Sequence, residues 1–289
     1  MITTAFFHRH LSAFKKLLLA SGLISLLVAS TVIYYLYMPV SAEAAWQYTV
    51  VARDLPNISA VDTDAKGNIY ALLEDKSGQG YLLSLHDGVR EHVLDGLDKP
   101  DGMIADGNDF IISEESSNGR LIRFTPSNHR SRTLARLQSA EGISADNNGN
   151  FLVVEDRNPG RLVRVLKNGD VNMLLNNLNK AEGVCIGKTG LIYIAEKASG
   201  RILLLEKGVQ KVLLEGLHKP GVVFCASNDD LWITEDRTNS GRLLNYHNNK
   251  MSVIASHLHN PQGIAFDAQG RLLLAEQGQG RILAFTHKN

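Results

Sequence analysis

Short runs of apolar residues, separated by glycine, asparagine and aspartate, follow one another along most of the chain. The stretch 137–178 shows the pattern clearly, with four runs that read EGISA, FLVVE, RLVRV and VNMLLNNL. Apolar and β-branched runs of this length between Gly/Asn/Asp turns are typical of antiparallel strands joined by hairpins. The middle runs do not alternate between apolar and polar positions, which predicts strands with both faces buried.

This four-strand unit repeats along the chain. A leucine closes each unit, and successive closing leucines lie 39 to 42 residues apart: Leu55, Leu97, Leu137, Leu178, Leu217 and Leu258. A period near 40 residues made of four strands is typical of a β-propeller blade. The last unit has room for only three strands, and the segment 46–55 has the pattern of the fourth. The sequence therefore predicts an all-β fold, a six-bladed β-propeller over 46–289 closed by its N-terminal strand, because an open ring would expose strand edges.

The N-terminal region follows a different pattern. Residues 17–40 contain no charged side chain and are numerous enough to span a bilayer as one helix, and cations precede them. We expect a cytoplasmic leader at 1–16, a transmembrane signal-anchor helix at 17–40 and a linker at 41–45. The propeller would then lie in the periplasm or in the extracellular or lumenal space. Cleavage at the AEA sequence of 42–44, which would release the domain, is the alternative.

Charge limits the classes of partner. Lysine and arginine number 30, as do aspartate and glutamate, so the formal net charge is zero. A neutral protein has no field that would attract a polyanion, which argues against nucleic acid. We expect a monomer that meets the membrane through 17–40 and binds a small-molecule ligand or a protein partner on the top face of the ring.

The two cysteines fall on the first strands of neighbouring units. Cys185 and Cys225 stand there in non-equivalent register. A disulfide needs closely spaced Cα atoms and matched directions. We therefore expect two buried thiols, which are common in protein cores.

One charged pair recurs in nearly every unit. A glutamate ends each second strand and an arginine opens most third strands: Glu74, Glu114, Glu155, Glu196, Glu235 and Glu276, then Arg120, Arg161, Arg201, Arg242 and Arg281. In a hairpin these two side chains face each other, which suits charge-assisted pairing. Because the pair is common to the blades, we interpret it as half-exposed scaffold rather than as a functional site.

A second position changes from unit to unit. It opens the innermost strand of each blade: Ser59, Asp101, Glu141, Glu182, Gly221 and Gln262. Innermost strands line the central channel of a propeller, so the three acids should converge at its mouth. Carboxylates that share a low-dielectric pocket repel unless they are protonated or bridged by a cation. We predict a divalent cation, Ca²⁺ in preference to Mg²⁺, at Asp101, Glu141 and Glu182. A solvated acidic mouth is the alternative.

Two histidines precede innermost strands, in the loops LHKP (217–220) and LHNP (258–261). An imidazole can take up or release a proton near neutral pH. His218 and His259 are therefore the candidate catalytic bases. A merely polar role on the surface is the alternative for both.

The repeat also has a recognisable form. It reads P-x-G-[IVM]…D-x-x-G-x-[LI]-[YWL]…E…G-R-[IL] over 46–289, and resembles the NHL-type propeller repeat and those of the gluconolactonase/regucalcin group and the virginiamycin B lyases. The segment PDGM at 100–103 resembles the one in which gluconolactonase-like enzymes place a metal-binding aspartate, which corresponds to Asp101. The resemblance implies a metal-dependent hydrolase of a small lactone or ester. A non-catalytic scaffold that binds a ligand or protein is the alternative.

Overall fold

A computed structural model describes residues 21, 24–26, 28, 30, 39–146 and 148–288 of the 289-residue chain. The chain divides into two units, Met1–Pro39 and Val40–Asn289. In the first unit, residues 21, 24–26, 28 and 30 are helical and exposed. Within the described part of the chain, no helix is long and apolar enough to cross a membrane. The predicted leader and most of the predicted anchor lie outside the described residues.

The second unit consists of β-strands in six sheets, and each sheet is one blade. The strands β1 (Ser41–Ala42) and β2 (Trp46–Ala52) come first in the chain and belong to blades five and six. Blade one contains β3 (Ala60–Thr63), β4 (Ile69–Glu74), β5 (Gln79–His86) and β6 (Val89–Asp98). Blade two contains β7 (Pro100–Asp106), β8 (Asp109–Glu114), β9 (Gly119–Thr125) and β10 (Arg130–Leu137), with a 3₁₀ turn at Pro126–Asn128. Blade three contains β11 (Ala140–Ala145), β12 (Phe151–Glu155), β13 (Gly160–Val165) and β14 (Val171–Leu178).

The remaining three blades continue the same order. Blade four contains β15 (Ala181–Ile186), β16 (Ile192–Glu196), β17 (Arg201–Glu206) and β18 (Val209–Leu214). Blade five contains β19 (Pro220–Cys225), β20 (Leu231–Glu235), β21 (Gly241–His247) and β22 (Lys250–Leu258). Blade six contains β23 (Pro261–Phe266), β24 (Leu272–Glu276) and β25 (Arg281–His287), with a 3₁₀ turn at Gln277–Gln279. The all-β six-bladed propeller is therefore confirmed.

The N-terminal strands complete the last two blades. β2 pairs antiparallel with β25, from Trp46 opposite His287 to Ala52 opposite Ile282, and supplies the fourth strand of blade six as predicted. β1 pairs with β22 and adds a fifth strand to blade five. The beginning of the segment 41–45, expected to be a linker, is thus part of the folded unit.

The middle strands are buried on both faces because neighbouring blades pack against each other. All five residues of β12 are buried, as are those of β20 and β24. Between blades one and two, Tyr70 and Leu72 pack against Phe110 and Phe124. This explains why the second strands read as continuous apolar runs rather than alternating ones.

The recurring Glu–Arg pairs connect successive blades. The Glu155 carboxylate is fully buried, pairs with Arg161 and accepts the backbone N–H of Gln138 at 2.8 Å. Gln138 lies in the connection from the preceding blade. Blades two, four, five and six repeat this three-part contact. The pairs are scaffold as predicted, but their carboxylates are buried rather than half-exposed.

Glycines let the innermost strands approach one another around the channel. A Cβ atom on Gly142 would lie 2.5 Å from the carbonyl oxygen of Glu182, and one on Gly183 would lie 2.5 Å from that of Gly221. No side chain fits there, which accounts for the glycine in the repeat. The same contacts place the first residues of neighbouring innermost strands at one level of the channel.

The expectation of two free thiols is wrong. Cys185 on β15 and Cys225 on β19 form a disulfide that joins blades four and five. Cys185 lies opposite Tyr193 and Cys225 opposite Leu231, so their registers do differ. The innermost strands run so close together that the Cα atoms are nevertheless 5.6 Å apart, which is within the range that a disulfide spans.

Candidate functional site

A cavity of about 370 Å³ occupies the central channel. All six innermost strands line it, from Asp101 and Glu182 near the starts of their strands to Phe224 and Phe266 near the ends. We call the end where the innermost strands begin the acidic mouth. It consists of seven charged residues: Asp101, Glu115, Glu141, Asp156, Glu182, Lys197 and Asp236.

Two of the predicted metal ligands meet a third acid that the sequence did not indicate. One carboxylate oxygen each from Glu141, Asp156 and Glu182 lies within 4.8 Å of the other two. Asp101 stands beside this cluster, since its charge acts on Glu141 and that of Glu182 acts on it. Among the described residues, the carboxylates of Asp101 and Glu141 form no ion pair and accept no hydrogen bond, although Glu141 is only 7% exposed.

Burial and mutual repulsion make these acids hard to ionise. Burial, followed by the charges of Glu182 and Glu115, raises the pKa of Asp101 to about 7. Burial raises the pKa of Glu182 to about 7 against the opposing effect of Lys197. For Glu141, burial and then the charge of Asp101 raise the pKa well above its usual range. Without a cation, the cluster therefore retains protons close to neutral pH.

Lys197 pairs with two carboxylates of the acidic mouth and, in the part of the chain that the structure describes, is the less exposed of the two lysines that form ion pairs there. The Nζ atom of Lys197 is 2.6 Å from Oε1 of Glu182 and 2.7 Å from Oδ2 of Asp236. Burial opposes the charge on Lys197, but these two carboxylates outweigh it and raise the lysine pKa above its usual range. Asp236 also accepts a hydrogen bond of 2.9 Å from Nδ2 of Asn260. This network joins blades four, five and six. On the other side of the mouth, Nζ of Lys180 lies 3.5 Å from Oδ2 of Asp156, while Asp101 and Glu141 form no ion pair among the described residues.

Asp156, Lys197 and Asp236 occupy one position of the repeat, which sequence reasoning missed. It is the residue directly after the glutamate that ends each second strand: Asp75, Glu115, Asp156, Lys197, Asp236 and Gln277. In blades two to six its backbone N–H donates to the carbonyl of the residue before the innermost strand, which fixes it at the mouth. The signal was present, because this position changes from blade to blade while its neighbouring glutamate does not.

The two predicted bases lie in the loops that lead to β19 and β23. The His218 side chain is exposed, and its backbone N–H donates to Glu235. His259 is only 6% exposed, and its backbone N–H donates to Glu276. Both backbones therefore serve the scaffold contacts between blades, and the catalytic role of both rings stays a prediction.

Comparison with known proteins identifies the fold. No protein-family model matches the sequence, and no curated protein sequence does. A gluconolactonase from Xanthomonas campestris is similar with a TM-score of 0.70 at 11% identity, over 86% of this chain and 91% of its own. A virginiamycin B lyase from Staphylococcus aureus has a TM-score of 0.59 at 14% identity, over 86% of this chain and 100% of its own. An auxiliary nutrient binding protein from Bacteroides thetaiotaomicron has a TM-score of 0.64 at 13% identity, over 81% of this chain and 70% of its own.

These similarities confirm the resemblance to gluconolactonase and virginiamycin B lyase propellers. At such low identities they establish the fold and not the activity, because one fold hosts many functions. The function therefore depends on the chemistry of the residues at the acidic mouth and in the channel beneath it.

Proposed function

We propose that this chain is a hydrolase of small lactones or esters that works at the acidic mouth with a divalent cation. The observation that carries the proposal is the convergence of Glu141, Asp156 and Glu182, whose oxygens lie within 4.8 Å of one another. The similarity in fold to a gluconolactonase supports the reaction class.

The donor set fits a hard cation. Carboxylate oxygens are the ligands that Ca²⁺ and Mg²⁺ prefer, and a flexible all-carboxylate set suits Ca²⁺ better. Glu141 is only 7% exposed, and its carboxylate has no hydrogen-bond or ion-pair partner among the described residues, so a cation at the mouth would supply the missing positive charge. Lys197 engages Oε1 of Glu182, and no ion pair in the described part of the chain engages the other oxygen.

A bound divalent ion polarises an ester carbonyl and lowers the pKa of water. Glu141, Asp156 and Glu182 would hold the ion. Asp101, which lies beside these three acids, would take the proton of the attacking water. The water oxygen then bonds to the acyl carbon, the carbon–oxygen bond of the ester breaks, and the leaving alkoxide receives the proton. His218 and His259 are the other two candidates for the base.

We further propose that the propeller works outside the cytoplasm, anchored by residues 17–40. The Cys185–Cys225 disulfide supports this location, because disulfides persist in oxidising compartments. The uncharged length of 17–40 supports the anchor. Protease treatment of intact cells tests both proposals. Cleavage of the propeller from outside supports them, whereas protection from protease with recovery in the soluble fraction contradicts them.

The metal is tested by thermal unfolding of the purified full-length protein. Ca²⁺ at a hundred times its Kd should stabilise the fold by about 2.7 kcal/mol, and EDTA should reverse the effect. The triple variant Glu141→Gln, Asp156→Asn, Glu182→Gln should lose this response, whereas the exposed control Glu215→Gln should keep it. A melting temperature indifferent to EDTA, with no ion by elemental analysis, would reject the metal.

The reaction is tested separately on a panel of lactones and esters. Turnover that requires Ca²⁺ and falls by 10²-fold or more in Asp101→Asn supports the mechanism. His218→Ala and His259→Ala show whether either ring is the base instead. Ca²⁺ binding without turnover of any panel member would retain the site and discard the hydrolase.

Non-catalytic ligand binding is the second candidate. Lys197 already neutralises part of the mouth, which reduces the demand for a metal. The similarity in fold to a nutrient binding protein is consistent with this function. A ligand that raises the melting temperature in EDTA without being consumed would favour it.

A further inference from the structure

The channel beneath the acidic mouth has a different chemistry. We call this part of the cavity the inner pocket, and the ends of the innermost strands line it. Its apolar side chains are Ile104, Ala145, Ile186, Phe224 and Phe266. All five are partly exposed, and they lie along the one cavity that also reaches Asp101 and Glu182. A ligand in the mouth can therefore extend into an apolar compartment.

The polar side chains of the inner pocket are already engaged with the backbone. The two carboxylate oxygens of Asp62 accept the N–H of Thr63 at 2.8 Å and that of Ala105 at 2.7 Å. The Ser144 hydroxyl oxygen accepts the N–H of Ile186 at 3.1 Å. These bonds tie blade one to blade two and blade three to blade four.

The sulfur atoms in the pocket wall offer no donor either. Cys185 and Cys225 form a disulfide, so neither carries an S–H group. Among the described lining residues of the inner pocket, the Ser144 hydroxyl proton is the only side-chain donor left for a ligand. A polyhydroxylated molecule could donate to the Asp62 carboxylate and accept from Ser144, but its other hydroxyl groups would face the five apolar side chains unpaired, at a cost in binding.

Two aromatic rings form one wall of the pocket. The rings of Phe224 and Phe266 have centroids 5.7 Å apart and are tilted by 40°. Trp232 meets the Phe266 ring edge-on at 5.8 Å and is itself buried. This support holds the wall in place, so the apolar surface exists before a ligand arrives.

We infer that the inner pocket binds an unsubstituted hydrocarbon chain, so that the substrate is a lactone or ester with an alkyl chain rather than a sugar lactone. The carbonyl head belongs to the acidic mouth, and that half of the inference rests on the proposed function. The alkyl chain of the substrate would occupy the inner pocket, and this half of the inference depends only on the residues that line the pocket. A cavity of about 370 Å³ is of the size that small-molecule ligands occupy. Each methylene moved from water into such a pocket should improve binding about fourfold.

The first experiment measures kcat/KM of the full-length protein with Ca²⁺ for γ-lactones whose alkyl chain grows from none to octyl. We expect kcat/KM to rise about fourfold per methylene until the pocket is full, mainly through a lower KM. Glucono-δ-lactone serves as the hydroxylated control and should be a poorer substrate than the alkyl lactones. A series without chain-length dependence, or the sugar lactone as the best substrate, would overturn the inference.

A pocket-filling variant tests the location. Ala145→Phe should lower kcat/KM for long-chain lactones much more than for the lactone without a chain, since only the long chains need the inner pocket. Ala105→Leu, at the same end of the channel, is the second variant if the first does not fold. Ala65→Phe, in an exposed turn, is the matched control and should behave as wild type. Equal loss for short and long substrates in Ala145→Phe would contradict a chain-binding role.

Binding of linear alcohols separates this inference from the hydrolase proposal. In EDTA, butan-1-ol to octan-1-ol should bind with rising affinity by calorimetry, and Ala145→Phe should abolish the trend. If the alcohols bind with this trend and no lactone is hydrolysed, the chain-binding role of the inner pocket is supported and the hydrolase proposal is wrong. If lactones are hydrolysed but alcohols do not bind and chain length has no effect, the hydrolase stands and the inner pocket is wrong.

Discussion

The Nζ atom of Lys197 lies 2.6 Å from Oε1 of Glu182, so a cation of the chain itself engages a predicted metal ligand. The two side chains are 24% and 13% exposed, which protects the contact from screening by solvent. Asp236 holds the same ammonium group at 2.7 Å. A divalent ion bound as proposed would therefore share Glu182 with an internal competitor, and the affinity of the mouth for metal would depend on that balance.

Replacing the lysine should strengthen metal binding while weakening the metal-free fold. In Lys197→Met, Glu182 and Asp236 lose their counter-ion, and breaking a largely buried pair costs about 3–5 kcal/mol. The freed carboxylates should then bind Ca²⁺ more tightly. We expect a lower melting temperature in EDTA and a larger rise with Ca²⁺ than in wild type. An unchanged Ca²⁺ response would show that the lysine and the ion do not share a ligand.

The metal-free protein should become less stable as the pH rises from about 4 to about 7. Asp101 and Glu182 have pKa values near 7 in the folded state, well above those of the unfolded chain. In this window the folded protein holds protons that the unfolded chain has released, so the free energy of unfolding falls with pH. Each such group contributes at most about 1.4 kcal/mol per pH unit.

Urea unfolding in EDTA across this pH range measures the slope. Asp101→Asn combined with Glu141→Gln removes two of the raised carboxyls and should flatten it. Glu215→Gln, an exposed acid, is the control and should leave the slope as in wild type. The same slope in the double variant and in wild type would contradict the raised pKa values of Asp101 and Glu141.

The buried Glu–Arg contacts between blades should matter more than surface ion pairs. Arg161→Met leaves the fully buried Glu155 carboxylate with the Gln138 N–H as its remaining contact, and should cost about 3–5 kcal/mol. Lys211→Met breaks the exposed pair with Glu206 and should cost less than about 1 kcal/mol. Urea unfolding of both variants gives the comparison. Equal costs would mean that burial adds nothing to the blade contacts.

Loss of the disulfide should destabilise the ring substantially. Cys185 and Cys225 are 40 residues apart in sequence, and a closed loop of that length is worth about 4 kcal/mol through the entropy of the unfolded chain. The double variant Cys185→Ala, Cys225→Ala should unfold at a lower urea concentration, and its free energy of unfolding should be lower by this amount. Reductant should bring wild type to the same midpoint without affecting the variant. Two titratable thiols in the non-reduced native protein would contradict the bond.

The fold was predictable because its signal is local and repeated. Short strands require turn residues between them, and these turns and the closing leucines recur in each blade. The segment 46–55 has the pattern of a fourth strand, and it closes the ring by pairing with β25. The pairing of β1 with β22 was not predictable, since a strand of two residues carries no periodicity of its own. The disulfide was missed because it depends on how tightly the innermost strands converge, which the register of one strand does not reveal.

The site was predictable only in part. Asp101, Glu141 and Glu182 were expected at the mouth because their position in the repeat varies between blades, and the structure brings Glu141 and Glu182 together with Asp156. Asp156 and Lys197 were not predicted because each directly follows a glutamate that is common to the blades and structural. Successive residues of a strand point to opposite sides. The residue after each buried glutamate can therefore face the channel, and its identity changes from blade to blade as that of a site residue does.

The closure of blades five and six has a consequence for the order in which the protein is made. Lys288 bonds to the carbonyl of Ala44 across 244 positions of sequence, and β2 pairs with β25 beside it. The strand that seals the ring is thus among the first parts of the propeller to leave the ribosome, and its partner is the last. Blades one to four can assemble as they emerge, but β2 must wait for its partner until β25 has been synthesised. A stalled or prematurely terminated chain therefore always carries an open strand edge for quality-control factors to recognise.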